Sequence, residues 1–365
     1  MDTVSIMGWL RVHGSPSPGF HAGDRLALVV FIASTRTSTI PGISVAGPSP
    51  EATLYTPALD VEYLVAGRPI TFNVIPVTPE GIPTPALISR AALKLLNIPT
   101  LIVDVGSFLE PKIPHTRMPS RSVGGSIDSE DALAEGVSKK LFEESRLLAS
   151  TLSKGLDFIV GESMPGGTTT ALSIMEALGY KARFRVSSAS PSNPHDLKVR
   201  VVERAFKRSN INPPERDVFK TIDRVGDPLH ISIAGFLSGA LEGGSKILLA
   251  GGTQMCAVLA ILKSLGVELG GRVMVGTTGW LVNDSQSDMR GLLNDIAPEV
   301  PLLAAEMDFS DSPFEGLKYY DKGYVKEGVG SGGLLTVLAV KGWSKGDVKR
   351  AVYGEYGRVM GYEAR

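Results

Sequence analysis

Residues 156–180 read LDFIVGESMPGGTTTALSIMEALGY. The opening apolar run, Leu156 to Val160, has the length of a strand buried on both faces of a parallel sheet. The chain then turns through Gly161, Glu162, Ser163, Met164, Pro165, Gly166 and Gly167 and meets three hydroxyls, Thr168, Thr169 and Thr170. Apolar residues at helical spacing follow, Leu172, Ile174, Met175 and Leu178, and Gly179 stops them. Strand, glycine turn and helix together aim free backbone N–H groups and the positive end of a helix dipole at an anion. The glycines allow backbone to approach a phosphate, and the threonines add hydroxyl donors. Taken alone, the turn fits a phosphate site and an ordinary strand-to-helix turn with a threonine cap equally well.

Working outward, Arg25 to Ala33 reads as another buried strand. A long hydroxyl-, glycine- and proline-rich loop follows over 34–57, of the kind that is functional or mobile in a compact domain. Ile70 to Ile75 and Thr100 to Val105 are strand candidates, with a helix predicted over Ala86 to Leu96 and a second Pro/Gly loop over 106–126. Helices are expected within Glu130 to Ser153, Lys198 to Lys207 and Asp227 to Leu241. Lys246 to Ala250 is a strand running into Gly251, Gly252 and Thr253, with a helix from Gln254 to Leu265. Arg272 to Val275 is a strand running into Gly276, Thr277, Thr278 and Gly279, and Val300 to Ala305 is a further strand. Three strands thus end in Gly/Thr-rich turns, and in an open parallel sheet such turns share the carboxyl edge, where ligands bind. Their convergence favours the phosphate site. The expected fold is a three-layer α/β domain with a mainly parallel, Rossmann-like sheet over 25–342. Residues 1–24 and 343–365 carry the weakest strand pattern and are expected to add a small helical part.

Composition narrows the partners. Lys plus Arg number 37 against 38 Asp plus Glu, so no global field draws nucleic acid or an anionic membrane, and a small molecule or a protein is favoured. Apolar content of 43% with only 7% aromatics suits aliphatic packing of helices on a sheet. The single cysteine, Cys256, excludes an internal disulfide and a cysteine metal cluster; it reads as a small buried hydrophobe and fits a reducing cytoplasm. No apolar run approaches the roughly 18 residues that span a bilayer, and MDTVSIMGWLRVHG does not have the pattern of a signal peptide.

Several chemistries fail on spacing. Gly161 to Gly166 has the glycine spacing of a Walker loop, but Gly167 stands where the lysine belongs, and no Gly-x-Gly-x-x-Gly dinucleotide fingerprint is present. The five histidines, His13, His21, His115, His195 and His230, are dispersed without ligand spacing and read as surface or loop residues. For acid–base work the candidate is Glu327 in YVKEGVGSGG, residues 324–333, where glycines remove bulk and crowding raises a carboxyl pKa. The bland alternative is a glutamate capping the helix that follows at Leu334 to Lys341, and Glu162 competes for the same role.

At these residues the chain resembles the archaeal-type relatives of nicotinate-nucleotide–dimethylbenzimidazole phosphoribosyltransferase, a cobamide-assembly family. GESMPGGTTTAL (161–172) is similar to the family's Gly-Glu-x-x-x-Gly-x-Thr-Thr turn, and LKVRVVERAFKR (197–208) to its Lys-x-x-Val-x-x-Arg-Ala helix. GDPLHISIAGFLSGAL with ILLAGGTQMCAVLAIL resembles the Asp-Pro-Leu helix, strand, glycine turn and helix, and KEGVGSGG resembles Gly-Glu-Gly-Thr-Gly-Ala. The four motifs occur in family order across roughly residues 25–342.

The resemblance implies transfer of the ribose phosphate of nicotinate mononucleotide to a ring nitrogen of 5,6-dimethylbenzimidazole or a related purine-type base, in a homodimer without cofactor or metal. It implies Glu327 as general base, Lys198 as phosphate holder and Gly166, Gly167, Thr168 and Thr169 as the phosphate turn. Gly251, Gly252, Thr253, Thr277, Thr278 and Gly328 fall on the neighbouring turns, Ser310 in MDFSDSP matches a phosphate-contacting serine, and Glu162 opens the turn as a ligand or structural contact. Physically, the nicotinate ring already carries positive charge and leaves without metal or acid, so positioning supplies most of the remainder. The chain departs from bacterial members at AAEMDFSDSPFEGL (304–317) and at 35–60, both where the acceptor binds, and this leaves the acceptor open. A nucleotide sensor without turnover on the same fold is the rival reading; a phosphotransferase with a degenerate phosphate loop is disfavoured by the missing lysine.

Overall fold

The structure, a computed structural model, describes residues 4–14, 25–74, 76–78, 80–269 and 271–362. Among the described residues, nine strands form one sheet: β1 (Val4–Met7), β2 (Leu10–His13), β3 (Leu26–Ala33), β4 (Thr100–Gly106), β5 (Thr116–Arg117), β6 (Asp157–Ser163), β7 (Ile247–Ala250), β8 (Val273–Thr278) and β9 (Leu302–Ala305). Their spatial order is β1-β2-β9-β8-β7-β6-β3-β4-β5. Of these pairings, β1–β2 and β2–β9 are antiparallel and the rest parallel.

Every residue of β3 is buried, as a strand covered on both faces requires. Its period-two alternation divides the molecule into two cores. Ala27, Val29, Phe31 and Ala33 belong to one cluster, and Leu26, Leu28, Val30 and Ile32 to the other. The described residues also hold thirteen α-helices: α1 (Thr56–Ala66), α2 (Ala86–Leu96), α3 (Val137–Leu152), α4 (Gly167–Ala177), α5 (His195–Ser209), α6 (Val218–Val225), α7 (Pro228–Glu242), α8 (Gln254–Ser264), α9 (Gly279–Val282), α10 (Met289–Ile296), α11 (Glu315–Lys318), α12 (Ser331–Val340) and α13 (Lys345–Met360). Helices α3 to α8 and α10 cover the first core; α1, α2 and α11 to α13 cover the second. The domain is therefore the expected three-layer, mainly parallel α/β fold.

Several local expectations are corrected. Residues 4–13 form a hairpin that lengthens the sheet rather than a helical part, because β2 pairs with β9 from Leu10↔Ala305 to His13↔Leu302. Residues 1–3, 15–24 and 363–365 of the two ends, and with them His21, lie outside the described residues. The C-terminal end is helical, as α13, packed on α2. Ile70 to Val74 makes no strand: the N–H groups of Ile70 and Thr71 are spent on the Glu62 carboxylate at 2.6 and 2.9 Å, so no ladder is available to them. Ile75 of that candidate lies outside the described residues. The helix expected from Glu130 starts only at Val137, after Gly136 at φ 81°. The loop expected over 34–57 holds two short 3-10 turns and delivers the chain into α1.

Chain order reverses across the sheet between β3 and β6: strands run 3-4-5 to one side and 6-7-8-9 to the other. In open α/β sheets the crevice at such a switch point is where ligands bind. Here it is bounded by the residue after β3, Ser34, and by the turn after β6, Met164 to Gly166, leading into α4. Gly166 takes φ 77°, and an added Cβ would lie 2.9 Å from Ser38, so glycine is needed both for the bend and for the approach of the two walls.

Candidate active site

The glycines around Glu327 have a packing cause. A Cβ on Gly161 would stand 2.9 Å from Gly330 Cα, one on Gly276 would stand 2.9 Å from Gly333 Cα, and one on Gly333 would stand 2.3 Å from the Ala250 side chain. Glycine against glycine lets the start of α12 lie directly on β6, β7 and β8. That contact brings Glu327 to the carboxyl edge, beside the turns after β6 and β7. Val329 N–H donates to the Glu162 carbonyl at 2.9 Å.

The Glu327 carboxylate divides its work. Oε1 accepts from Gly328 N at 3.1 Å, Gly332 N at 2.9 Å and Ser331 Oγ at 2.9 Å. This is the capping contact that the bland reading of the sequence described. Among the described residues, Oε2 accepts only from Thr277 Oγ1, at 3.3 Å, and remains the oxygen able to receive a proton. Burial raises the Glu327 pKa, and the bonds from Gly332, Ser331, Gly328 and Thr277 oppose the rise.

Glu162 is the penultimate residue of β6 and is 4% exposed. Its Oε1 accepts from Gln254 Nε2 at 2.9 Å, while Oε2 is buried without a hydrogen-bond partner among the described residues. Burial pushes its pKa up to about 7; a charge on His230 lowers it and Glu327 raises it further. Asp60 of α1 adds a third buried carboxyl, accepting from Thr84 Oγ1 at 2.6 Å and Ser163 Oγ at 2.8 Å, with burial pushing its pKa to about 6. Three carboxyls thus form an acidic pole at the switch point. Their raised pKa values mark electrostatic strain of the kind that active sites hold.

The basic pole lies at the turn after β7. Lys198 of α5 is fully buried and donates to Ser187 O at 2.6 Å and Asn193 Oδ1 at 3.0 Å. Burial first, then the charge of Lys326, lowers its pKa to about 7. Ser187 is in turn tied to Thr253, whose Oγ1 accepts from Ser187 N at 2.9 Å. Between the poles, α4 and α8 begin side by side at Gly167 and Gln254, and neither has a side-chain N-cap. Several first-turn N–H groups are already used within the turns, Gly167 N on Met164 O, Thr169 N on Gly166 O, Met255 N on Gly252 O and Cys256 N on Thr253 O, so it is the helix dipoles more than free donors that mark this end.

The structure positions the remaining expected residues as follows. Gly166 and Thr168 are half-buried on the turn, Gly167 is buried, and its added Cβ would collide with Gln254 Oε1. Thr169 is buried with a hydroxyl lacking a partner among the described residues. Gly251 and Gly252 lead to Thr253; an added Cβ on Gly252 would stand 3.9 Å from Glu327 Cγ. Thr278 donates to the Lys326 carbonyl at 2.6 Å and caps α9, and Gly328 holds φ 150° beside the base. Ser310 stands apart: it is exposed, and its hydroxyl donates to Asp308 Oδ1 at 3.3 Å.

Sequence reasoning missed four participants. His230 is fully buried, not a surface residue, and pairs through Nδ1 with Asp227 Oδ2 at 2.5 Å. Asp227 also accepts from Leu229 N and His230 N, capping α7. An Asp-x-x-His spacing at a helix start was the available signal. Asp60 and Gln254 gave none, because their partners are distant in sequence. Lys326 was visible only as the neighbour of Glu327. Cys256 is buried with its pKa pushed to about 12, consistent with a packing role.

Comparison with known proteins bears on the fold and the family. A family model described as "Phosphoribosyltransferase" matches residues 88–276. A UPF0284 protein of Aeropyrum pernix is 52% identical over 93% of this chain and 94% of its own length. One from Sulfolobus acidocaldarius is 43% identical over 92% and 95%. In fold, the chain is similar to nicotinate-nucleotide-dimethylbenzimidazole phosphoribosyltransferase from Thermus thermophilus, with a TM-score of 0.59, 16% identity and coverage of 93% of this chain and 86% of that one. A crystal structure of CobT from the same organism gives a TM-score of 0.58 at 15% identity, over 92% and 84%. With more than half of its length matched by the family model and close relatives spanning nearly all of it, the chain belongs to the phosphoribosyltransferase family, alongside the archaeal UPF0284 proteins.

Proposed function

We propose that the protein moves the ribose phosphate of nicotinate mononucleotide to a ring nitrogen of 5,6-dimethylbenzimidazole or a related purine-type base, giving an α-ribazole phosphate and nicotinate. The observation that carries this reading is the two-pole site. Asp60, Glu162 and Glu327 gather at one end, and Lys198 and Lys326 at the other. Nicotinate mononucleotide offers a phosphate dianion to the lysines and, beside C1′, a pyridinium nitrogen to the carboxyls, its charge offset by the ring carboxylate; the phosphate is the end that the charges of the site distinguish.

The step balances without a further reactant. The bond from C1′ to the nicotinate nitrogen breaks, and its electron pair neutralises the pyridinium. A lone pair on the acceptor nitrogen forms the new C1′–N bond. The proton on the acceptor's other ring nitrogen goes to Glu327 Oε2, the oxygen with a single contact. Placing both rings against C1′ supplies the larger part of the acceleration, and the base a further 10²- to 10⁴-fold or thereabouts. A homodimer working in the cytoplasm belongs to the same reading.

The three capping bonds on Glu327 Oε1 favour one rival, a nucleotide-binding sensor in which this carboxylate is purely structural. Incubation with nicotinate mononucleotide and a panel of benzimidazoles and purines, followed by mass spectrometry, separates the two. Time-dependent α-ribazole phosphate, or its purine counterpart, supports transfer; tight mononucleotide binding with no product from any acceptor supports the sensor.

A further inference from the structure

Lys326 precedes Glu327 and is 2% exposed. Its backbone holds φ 64°, in the left-handed region that favours glycine, and Val325 before it holds φ 63°. A non-glycine residue there is held at a backbone cost. The conformation is over-determined by its neighbours: Val325 N donates to Ala189 O at 2.8 Å, and Thr278 Oγ1 to the Lys326 carbonyl at 2.6 Å. The result is to bury an ammonium group. Lys326 Nζ lies 3.0 Å from Asp284 Oδ2 and 3.2 Å from Ser190 O.

Lys198 holds the same loop from the other side, through Ser187 O. Two buried ammonium groups therefore share one carboxylate, since Asp284 acts electrostatically on Lys198 as well. The other charged groups nearby are already engaged. Glu306 pairs with Arg11 at 3.1 Å, Asp321 accepts from Trp280 Nε1 and Phe309 N, and Lys322 lies over the Tyr319 ring at 4.4 Å. Glu327 spends its oxygens on the start of α12 and on Thr277. Among the described residues, Asp284 is the one carboxylate in contact with either ammonium group, and a buried ammonium is costly unless an anion meets it. The remaining contacts of the two ammonium groups are neutral oxygens, weaker partners than a phosphate oxygen. Lys326 also forms part of the wall of a cleft of about 360 Å³, whose other charged lining residues are Asp284, Glu306, Asp321 and Lys322.

We propose that Lys326 is a second cation of the phosphate subsite, acting with Lys198 on the nucleotide's phosphate. The assignment rests on the two-pole reading for its substrate, but its test does not need transfer to occur.

Inorganic phosphate is titrated calorimetrically into the wild-type protein and into Lys326→Met, Lys326→Arg and Asp284→Asn, with each variant's unfolding temperature recorded. Lys326→Met weakens phosphate binding by about tenfold, the scale of one lost charge-assisted contact. Lys326→Arg retains binding within about threefold, because the charge is kept. Asp284→Asn binds phosphate more tightly than wild type, since the competing carboxylate is gone. A merely structural Lys326–Asp284 pair gives no gain in Asp284→Asn. Wild-type affinity in a folded Lys326→Met, no gain in Asp284→Asn, or no phosphate binding by the wild type overturns the proposal. If Lys326→Met does not fold, the Arg and Asn variants decide. Phosphate binding that depends on Lys326 in a protein without transferase activity sinks the proposed reaction and leaves this assignment standing.

Discussion

Glu162 and Glu327 stand on the same rim of the sheet, joined through the bond from Val329 N to the Glu162 carbonyl at 2.9 Å, and the charge of Glu327 raises the pKa of Glu162. Two carboxyls in one buried site do not both ionise freely. Glu162 holds its proton near neutrality, whereas Glu327 receives four hydrogen bonds that favour its anion. Burial raises both carboxyls, but hydrogen bonds to Glu327 oppose its rise more fully, and in the proposed reaction this difference favours Glu327 as the base and Glu162 as the neutral partner.

Replacing Glu327 with Gln keeps an acceptor for Gly332 N and removes the basic oxygen. We expect turnover to fall by about 10²-fold or more, while nicotinate mononucleotide binds within a few fold of wild type. Steady-state kinetics and calorimetry on one preparation measure both. Turnover within about fivefold of wild type removes Glu327 from the base role.

The raised pKa of Glu162 makes a stability prediction whose sign is opposite to that of a salt-bridged carboxylate. Its folded pKa is about 7 against an ordinary value of 4.5. Below the ordinary value both states are protonated and nothing is lost. As pH rises from there to about 7, the unfolded chain releases a proton that the folded one keeps, so stability falls; above 7 the loss is complete. Glu162→Gln removes the titration and keeps the oxygen that accepts from Gln254. It is expected to be more stable than wild type at about pH 8 by on the order of 1–3 kcal/mol, with the difference closing at acid pH. Urea melts at the two pH extremes check this, and an equal difference at both contradicts it.

Much of this architecture is legible in the sequence because its cause is local. The apolar run of β3 needs cover on both faces, and Gly166 with the threonines after it announces a turn into a helix. The presence of α1 is less visible, since Asp60 and Glu62 interrupt its apolar pattern. Their partners are Thr84, Ser163, Thr71 and the N–H of Lys112, none of which is near in sequence. The β1–β2 hairpin is hidden for a related reason: its short strands gain their stability from pairing with β9, at the far end of the chain. The glycines after Glu327 read as space for a ligand, and they are instead the surface on which α12 meets the sheet. Within the site, Glu327 and Lys198 are found by motif, whereas His230, Asp60 and Lys326 are recognisable only once burial removes them from water.

On the proposed reading, Lys198 should couple nucleotide binding to pH. Its pKa of about 7 means that it is charged below neutrality and largely neutral above. A bound phosphate favours the charged form, so above neutrality binding takes up a proton. Affinity for the mononucleotide is expected to fall by up to about tenfold per pH unit above about 7. Calorimetry in buffers of different ionisation enthalpy counts the proton directly. Lys198→Met abolishes the uptake and weakens binding; a mutant that still takes up the proton assigns it elsewhere.

Two glycines separate close packing from helix propensity. Gly333 in α12 has an ordinary backbone conformation, and an added Cβ lies 2.3 Å from the Ala250 side chain and 3.0 Å from its backbone. Neither neighbour is a flexible side-chain end, so α12 must lift off β7. Gly333→Ala is expected to cost about 1–3 kcal/mol as an overpacked core does, and to lower turnover because Glu327 is carried by the same contact. Gly354 in α13 is exposed, and its added Cβ meets nothing within 4 Å. There the same change removes only the backbone freedom of glycine, and it should stabilise the protein by about 0.5–1 kcal/mol without altering turnover. The opposite signs are the point of the comparison. If Gly333→Ala were neutral, the seating of α12 on the sheet would not be what holds Glu327 in place.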